Sequence, residues 1–213
     1  MAYSEKCREC PRLAGFLDAV RKKHPDYFAR PVPPFGAKNP ELLIVGLAPG
    51  MHGANRSGRP FTGDFAGILL YKTLHKFGFA SAPVSVHRDD GLKLIDCRIT
   101  NAVKCLPPQN KPETGEVRQC NRYLTDELKA LKTGAVVLAL GGIAHQAVLV
   151  ATGEKRTSHP FAHAARHTLA VGLTLVDSYH CSRYNTQTRR LTAAMFEDVF
   201  SDIRKLIGKR AGA

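Results

Sequence analysis

Apolar residues fall along this chain in two rhythms. Leu42 to Leu47, Leu94 to Val103, Ala135 to Leu140 and Leu173 to Ser178 are short apolar or β-branched runs with turn residues around them. Runs of this length and make-up predict four buried strands. Elsewhere apolar positions recur every three to four residues, over about 64–79, 116–132 and 141–152. A last helix is expected over roughly 190–207, where Leu191, Met195, Val199, Ile203 and Ile207 share a face. Strands that alternate with helices predict an α/β fold whose parallel sheet is covered on both faces. Ligands of such sheets bind beyond the carboxyl ends of the strands. That rule gathers the loop after Val45, Asn101 to Cys105, Gly141-Gly142 and Tyr179 to Arg190 on one rim. The proline-rich stretch at 30–36 reads as an extended lead-in to the first strand. No repeat or low-complexity linker divides the chain, so residues 1–213 are expected to form one domain.

Charge narrows the partners. Lysine and arginine number 31 against 18 acids, a net +13 spread through the chain, and such a field attracts nucleic acid before any other polyanion. The start, MAYSEKCRECPRL, has no apolar leader segment, and no apolar run is long enough to cross a bilayer, so a cytoplasmic protein with no membrane partner is expected. In a reducing compartment six cysteines point to thiols or metal ligands, not disulfides. Cys7 and Cys10 form C-x2-C. Cys105 and Cys120 close a segment stiffened by Pro107, Pro108 and Pro112. Four thiolates in two pairs suit one zinc ion or an iron–sulfur cluster, and ligand type alone does not separate these. Cys97 falls in a strand and reads as core; Cys181, beside His180, is weighed as a reactive thiol and ranked below that use.

The loop GLAPGMHGANRSGRPFTGDFAG runs from Gly46 to Gly67. It lacks the lysine and following hydroxyl of a phosphate loop, and it lacks the G-x-G-x-x-G dinucleotide pattern. What it offers is a substrate-facing stretch of Gly46, Leu47, Ala48, Pro49 and Gly50, with backbone amides around Leu47 to Gly50 free to donate except at Pro49, then an aromatic ring at Phe61 and a carboxylate at Asp64 where a helix starts. Asn101 ends the second strand with a planar amide suited to reading a base edge. His180 ends the fourth, followed by Ser182, Arg183, Tyr184, Asn185, Arg189 and Arg190, a set able to grip phosphates flanking a base drawn from a duplex. Each has a plainer role: Asp64 as a helix cap, Phe61 as core, Asn101 and His180 as satisfied polar groups. His159, His163 and His167, four residues apart, suggest a metal site by helical spacing; a basic surface loop on the DNA side is the preferred reading.

GLAPGMHGANRSGRPFTGDFAG, TNAVKCLPPQNKP, LALGGIAH and DSYHCSRYNTQTRRLT, in this order and with the four cysteines, resemble the iron–sulfur uracil-DNA glycosylases of the type-b (family 5) branch. The resemblance spans about residues 7 to 207. It implies a three-layer α/β/α sandwich with a four-stranded parallel central sheet, and a [4Fe–4S] cluster on Cys7, Cys10, Cys105 and Cys120. It also implies a monofunctional enzyme of base excision repair that removes uracil and other deaminated bases from double- and single-stranded DNA. By the same resemblance Phe61 stacks on the extruded base, Asn101 binds its pairing edge, His180 hydrogen-bonds the pyrimidine oxygen, and Asp64 orients water or steadies the cationic sugar. A sister branch carries an acid at the position of Leu47, which leaves that task to Asp64 here. The family often has His-Pro-Ser where this chain has His180-Cys181-Ser182. A monomer is expected. The competing class is a non-enzymatic nucleic-acid-binding protein, organised by an iron–sulfur cluster or by zinc.

Overall fold

A computed structural model of the chain describes residues 3–208. After a first helix, α1 (Pro11–Lys23), a two-residue strand β1 (Phe35–Gly36) leads to β2 (Leu42–Gly46), α2 (Ala54–Ser57) and α3 (Phe65–Lys76). There follow β3 (Cys97–Asn101), α4 (Thr114–Lys129), β4 (Val136–Leu140), α5 (Gly142–Thr152), β5 (Arg166–Thr168), β6 (Thr174–Ser178), α6 (Arg183–Gln187) and α7 (Ala193–Gly208).

The sheet runs β1-β3-β2-β4-β6-β5. Its centre, β3-β2-β4-β6, is the expected set of four parallel strands, and short antiparallel strands extend each edge to make six. The central strands read apolar throughout because both of their faces are covered. Ile44, Ile99, Leu138 and Val176 pack with Leu70, Tyr71 and Leu74 of α3 and with Phe196, Phe200 and Ile203 of α7. Their neighbours Leu43, Val45, Val137, Ala139 and Leu175 point the other way, onto Leu124 and Leu128 of α4 and Ala144, Ala147 and Val148 of α5. Side chains alternate across a strand, so one pleat feeds both cores and three layers result. Each large aliphatic side chain buried in this way is worth about 1.5–3 kcal/mol over exposure.

A third apolar group sits off the sheet. Leu13, Leu17 and Val20 of α1 meet Val103, Leu106 and Tyr123 around Cys105 and Cys120. The helix starts at Pro11, where the missing N–H costs nothing, and it ends on Arg21, Lys22 and Lys23, which suit the negative helix end. No such helix was expected from the apolar rhythm, although Leu13, Leu17 and Val20 carry helical spacing. The strand expected from Leu94 shortens to Cys97–Asn101, because Asp96 takes a φ of 50° and Leu94 bridges to Ala80 instead.

Parallel register brings the functional ends together. Gly46 pairs with Asn101 and Leu140 with Ser178, so β2, β3, β4 and β6 finish on one rim.

Candidate active site

At that rim Leu47, Ala48, Gly50, Ala54, Phe61, Asp64, Ala66, Asn101, Asn110, His180 and Ser182 line one cavity of about 250 Å³. The four segments expected to converge contribute unequally. Gly141 approaches the His180 Cβ but does not line the cavity, and Asn110, which sequence reasoning did not select, does. Asn110 follows Pro107 and Pro108 in a short 3-10 turn and has a φ of 57°, a conformation asparagine tolerates better than most residues. That proline-proline-x-asparagine pattern was the available signal.

Gly46 shows why the motif opens with glycine. A Cβ built there lies 2.5 Å from the Asn101 Oδ1 and 2.8 Å from the Phe61 ring, so any side chain would displace both. Phe61 itself has a φ of 56°, strained for a bulky residue. It is held there by its surroundings: its carbonyl lies 1.8 Å from where a Cβ on Gly67 would stand. On the far side Arg59, buried at 3% exposure, forms an ion pair with Asp90 at 2.8 Å. Phe61 belongs to the buried core and also lines the cavity. Its ring lies 5.9 Å from the His180 ring at a 30° tilt.

Asp64 caps a helix at the edge of the same cavity. Its Oδ1 accepts the Gly67 N–H at 2.9 Å, capping α3, while the carboxylate lines the cavity and packs against Gly53. Burial raises its pKa, and the Gly67 and Ala66 N–H groups only partly hold it down. Burial alone pushes His180 down to about 4, so its ring is neutral at pH 7 and presents one N–H without a positive charge. Asn101 is 3% exposed, and its Oδ1 has no hydrogen-bond partner among the described residues. A buried acceptor left bare costs about 1–3 kcal/mol, which a ligand's donor would recover.

The segment after His180 divides. Ser182 caps α6, accepting from the Asn185 N–H, and the Asn185 Nδ2 donates to the His180 carbonyl at 2.8 Å. Asn185 therefore braces the loop from inside. Arg183, Tyr184 and Arg189 are exposed, Tyr184 at 71%, with the Arg183 guanidinium 5.0 Å over the Phe65 ring. Arg190 lies over Tyr179 at 4.6 Å. Cys181 is fully buried and its thiol is pushed up by that burial, so it belongs to the core, as Cys97 does.

Cys7, Cys10, Cys105 and Cys120 surround a separate small cavity with Leu13, Ala14 and Tyr123. Burial, reinforced by the neighbouring sulfurs, pushes Cys10 up to about 11 and raises Cys105. Cys10, Cys105 and Cys120, whose thiols burial keeps from ionising, are with Cys7 a donor set that a cationic centre would draw into the thiolate form. The Lys104 backbone N–H already points at the Cys120 Sγ, 3.3 Å away.

Helical spacing misleads for the histidine triplet. His159, His163 and His167 share no helix: they lie half-buried along a largely exposed, irregular segment that leads into β5, and of the three only the His167 ring reaches fully buried Asp177. His145 Nδ1 donates to Asp177 Oδ1 at 2.8 Å and its Nε2 to the His159 carbonyl at 2.9 Å, while His167 Nε2 reaches Asp177 Oδ2 at 3.3 Å. Burial alone would lower the His145 pKa, but the carboxylate and carbonyl together raise it, so this is a buried imidazolium–carboxylate pair. Ligand atoms of His145, His167 and Asp177 lie within 4.8 Å, but protons already satisfy them.

No helix among the described residues is long and apolar enough to cross a membrane. The model of the uracil DNA glycosylase superfamily matches residues 33–204. The chain is 47% identical over 207 residues to a type-5 uracil-DNA glycosylase of Thermus thermophilus, covering 95% of this chain and 94% of that protein. It is 43% identical over 197 residues to one from Pyrobaculum aerophilum, covering 91% and 85%. A type-4 uracil-DNA glycosylase of Archaeoglobus fulgidus shares 36% over 116 residues, 54% of this chain and half of that protein.

Proposed function

The chain belongs to the uracil DNA glycosylase superfamily, and on that premise we propose that it hydrolyses the N-glycosidic bond of uracil in DNA, leaving an abasic site. The observation that carries this reading is the single cavity holding a bare buried amide oxygen, a neutral imidazole, an aromatic ring and a carboxylate. Phe61 takes the face of the extruded base, and Asn101 Oδ1 accepts its ring N–H. Bond cleavage moves charge toward an anionic base and an oxocarbenium-like sugar. The His180 N–H meets the first and the Asp64 carboxylate the second, so both act on the transition state and neither has to form a covalent bond. The main chain over Leu47 to Gly50, whose N–H groups other than at Pro49 can donate, completes the cradle. Ser182, Arg183, Tyr184 and Arg189 face the DNA strand, with Asn185 stiffening the loop beneath them. Other deaminated bases that offer the same edge are substrates too, in duplex or single strands, and a monomer in one domain suffices.

Cys7, Cys10, Cys105 and Cys120 hold a [4Fe–4S] cluster. The all-sulfur donor set suits such a cluster, and the resemblance to the iron–sulfur glycosylases favours it over zinc. When bound, the cluster supplies a rigid, electron-transfer-capable junction; the cysteines tie the start of α1 to the Cys105–Cys120 segment, which also carries Asn110.

The test is incubation with a duplex carrying one dU opposite dG, followed by alkaline strand scission and assay of free uracil. Cleavage at the dU with release of uracil is expected. DNA binding without release would favour a non-enzymatic binder.

A further inference from the structure

His180 has no protein partner for its ring nitrogens among the described residues, yet a donor aimed at one atom of a base has to be held in place. The structure holds its backbone instead. On its carboxyl side Asn185 Nδ2 binds the His180 carbonyl at 2.8 Å. On its amino side the Tyr179 N–H donates to His163 Nδ1 at 3.2 Å. The His163 and Tyr179 rings also stack, with centroids 5.0 Å apart and planes 18° from parallel.

His163 is itself anchored. With Nδ1 used as an acceptor, its other nitrogen is left to donate to the backbone of Met195 in α7. Its segment is tied down at both ends by the buried pair. His145 of α5 holds the His159 carbonyl, Asp177 of β6 holds His145 and His167, and the Ala164 N–H donates to the Asp177 carbonyl at 2.9 Å. Phe161 fills the space between, 5.6 Å from His145 and 6.2 Å from Tyr179. Arg190 packs on the Tyr179 ring at 4.6 Å. A ring nitrogen that accepts a backbone N–H must be unprotonated. Burial keeps His163 so, by lowering its pKa against the pull of Asp198.

We propose that His163 is a positioning residue for His180: by accepting the Tyr179 N–H and stacking on its ring, it fixes the backbone from which His180 reaches the base. Of the histidine triplet, it is His163 that then serves excision, from beside Tyr179. The proposal rests on the reading of His180 as the donor to the leaving base.

The test compares His163→Phe, which keeps the ring and loses the acceptor, with His163→Asn, whose Oδ1 stands where Nδ1 stood. Each full-length variant is assayed in single turnover on a dU·dG duplex across protein concentrations, with thermal melting as the control for folding. A donor displaced by a fraction of an ångström to 1 Å costs up to about 100-fold in rate. His163→Phe should therefore lower the limiting rate about 10- to 100-fold with the half-saturating concentration within about twofold of wild type, and His163→Asn should recover most of the loss. Should His163→Phe not fold, His163→Gln replaces it, since Gln reaches the Met195 side and leaves the Tyr179 N–H bare; the same slowing is expected. A folded Phe or Gln variant at the wild-type rate, or an Asn variant as slow as the others, overturns the proposal. A wild-type protein that releases no uracil overturns the excision reading itself, and the two failures are told apart by the wild-type lane.

Discussion

Replacing Asp64 by asparagine separates the two tasks this residue performs. Asparagine caps helices about as well as aspartate, so its Oδ1 can still accept the Gly67 N–H now 2.9 Å from Asp64. What the substitution removes is the charge. In the fold the Asp64 carboxyl has a raised pKa, so at neutral pH the folded state carries an ion its surroundings disfavour, and this lowers stability. Asp64→Asn removes that cost and gives up a helix-end attraction of about 0.3–1 kcal/mol, so its melting temperature should equal or exceed that of wild type. Asp64→Ala strips the cap as well and should lose about 0.5–2 kcal/mol. Chemistry should not follow stability, since both variants lose the carboxylate. A carboxylate about 4 Å from a cationic sugar at an effective dielectric near 20 contributes about 4 kcal/mol, so single-turnover excision by Asp64→Asn should fall about 10³-fold. The assay is burst-free excision of dU with excess protein, read beside calorimetric melting. An Asp64→Asn variant that works within tenfold of wild type, or one that loses activity only as far as it loses stability, would refute the argument.

Further expectations concern the rest of the molecule. His180→Ala should slow excision about 10²–10³-fold while DNA affinity measured by anisotropy stays near wild type, as for removal of one preorganised donor. Activity should fall with acid as Asp64 protonates, at a pH above the ordinary carboxylate range because its pKa is raised; the residual rate of Asp64→Asn should lack that limb and hold until His180 titrates near 4. Cys120→Ser should reduce bound iron and acid-labile sulfide and lower the melting temperature, since Cys120 is also part of the small core under α1; zinc in place of iron in the wild-type protein would contradict the cluster. Asp177→Asn leaves the His145 imidazolium unpaired in the interior and should cost about 3–5 kcal/mol, a fall on the order of 10 °C by thermal melt, and no change in melting would contradict the ion pair.

The four central strands and four of the helices were legible because they bury long, regular apolar faces: Leu43 and Ile44 read as core whichever way they point. The added strands were not. Arg166, His167 and Thr168 are polar and mostly exposed, and they form β5 only because β6 offers an open edge. Of the candidate site, Asp64, Phe61, Asn101 and His180 were found from their positions at strand and helix ends, and parallel register is what turns those positions into one cavity. The surroundings of the histidine triplet were hidden for the complementary reason. A spacing of four matches a helix, but Pro160 and the turn at Ala164 break the segment, and the partners it meets, His145 at the His159 carbonyl, Tyr179 at His163 and Asp177 at His167, come from other elements. The bracing bond of Asn185 was hidden for similar reasons: beside arginines and a tyrosine it reads as a phosphate contact, and nothing in the sequence announces that its amide binds the His180 carbonyl.

The most direct test is the structure of the Asp64→Asn protein bound to a duplex with one dU opposite dG. The account predicts uracil out of the helix, its face on Phe61, its ring N–H on Asn101 Oδ1 and an oxygen within hydrogen-bond reach of His180. Uracil still stacked in the duplex, or lodged in another cavity, would contradict it.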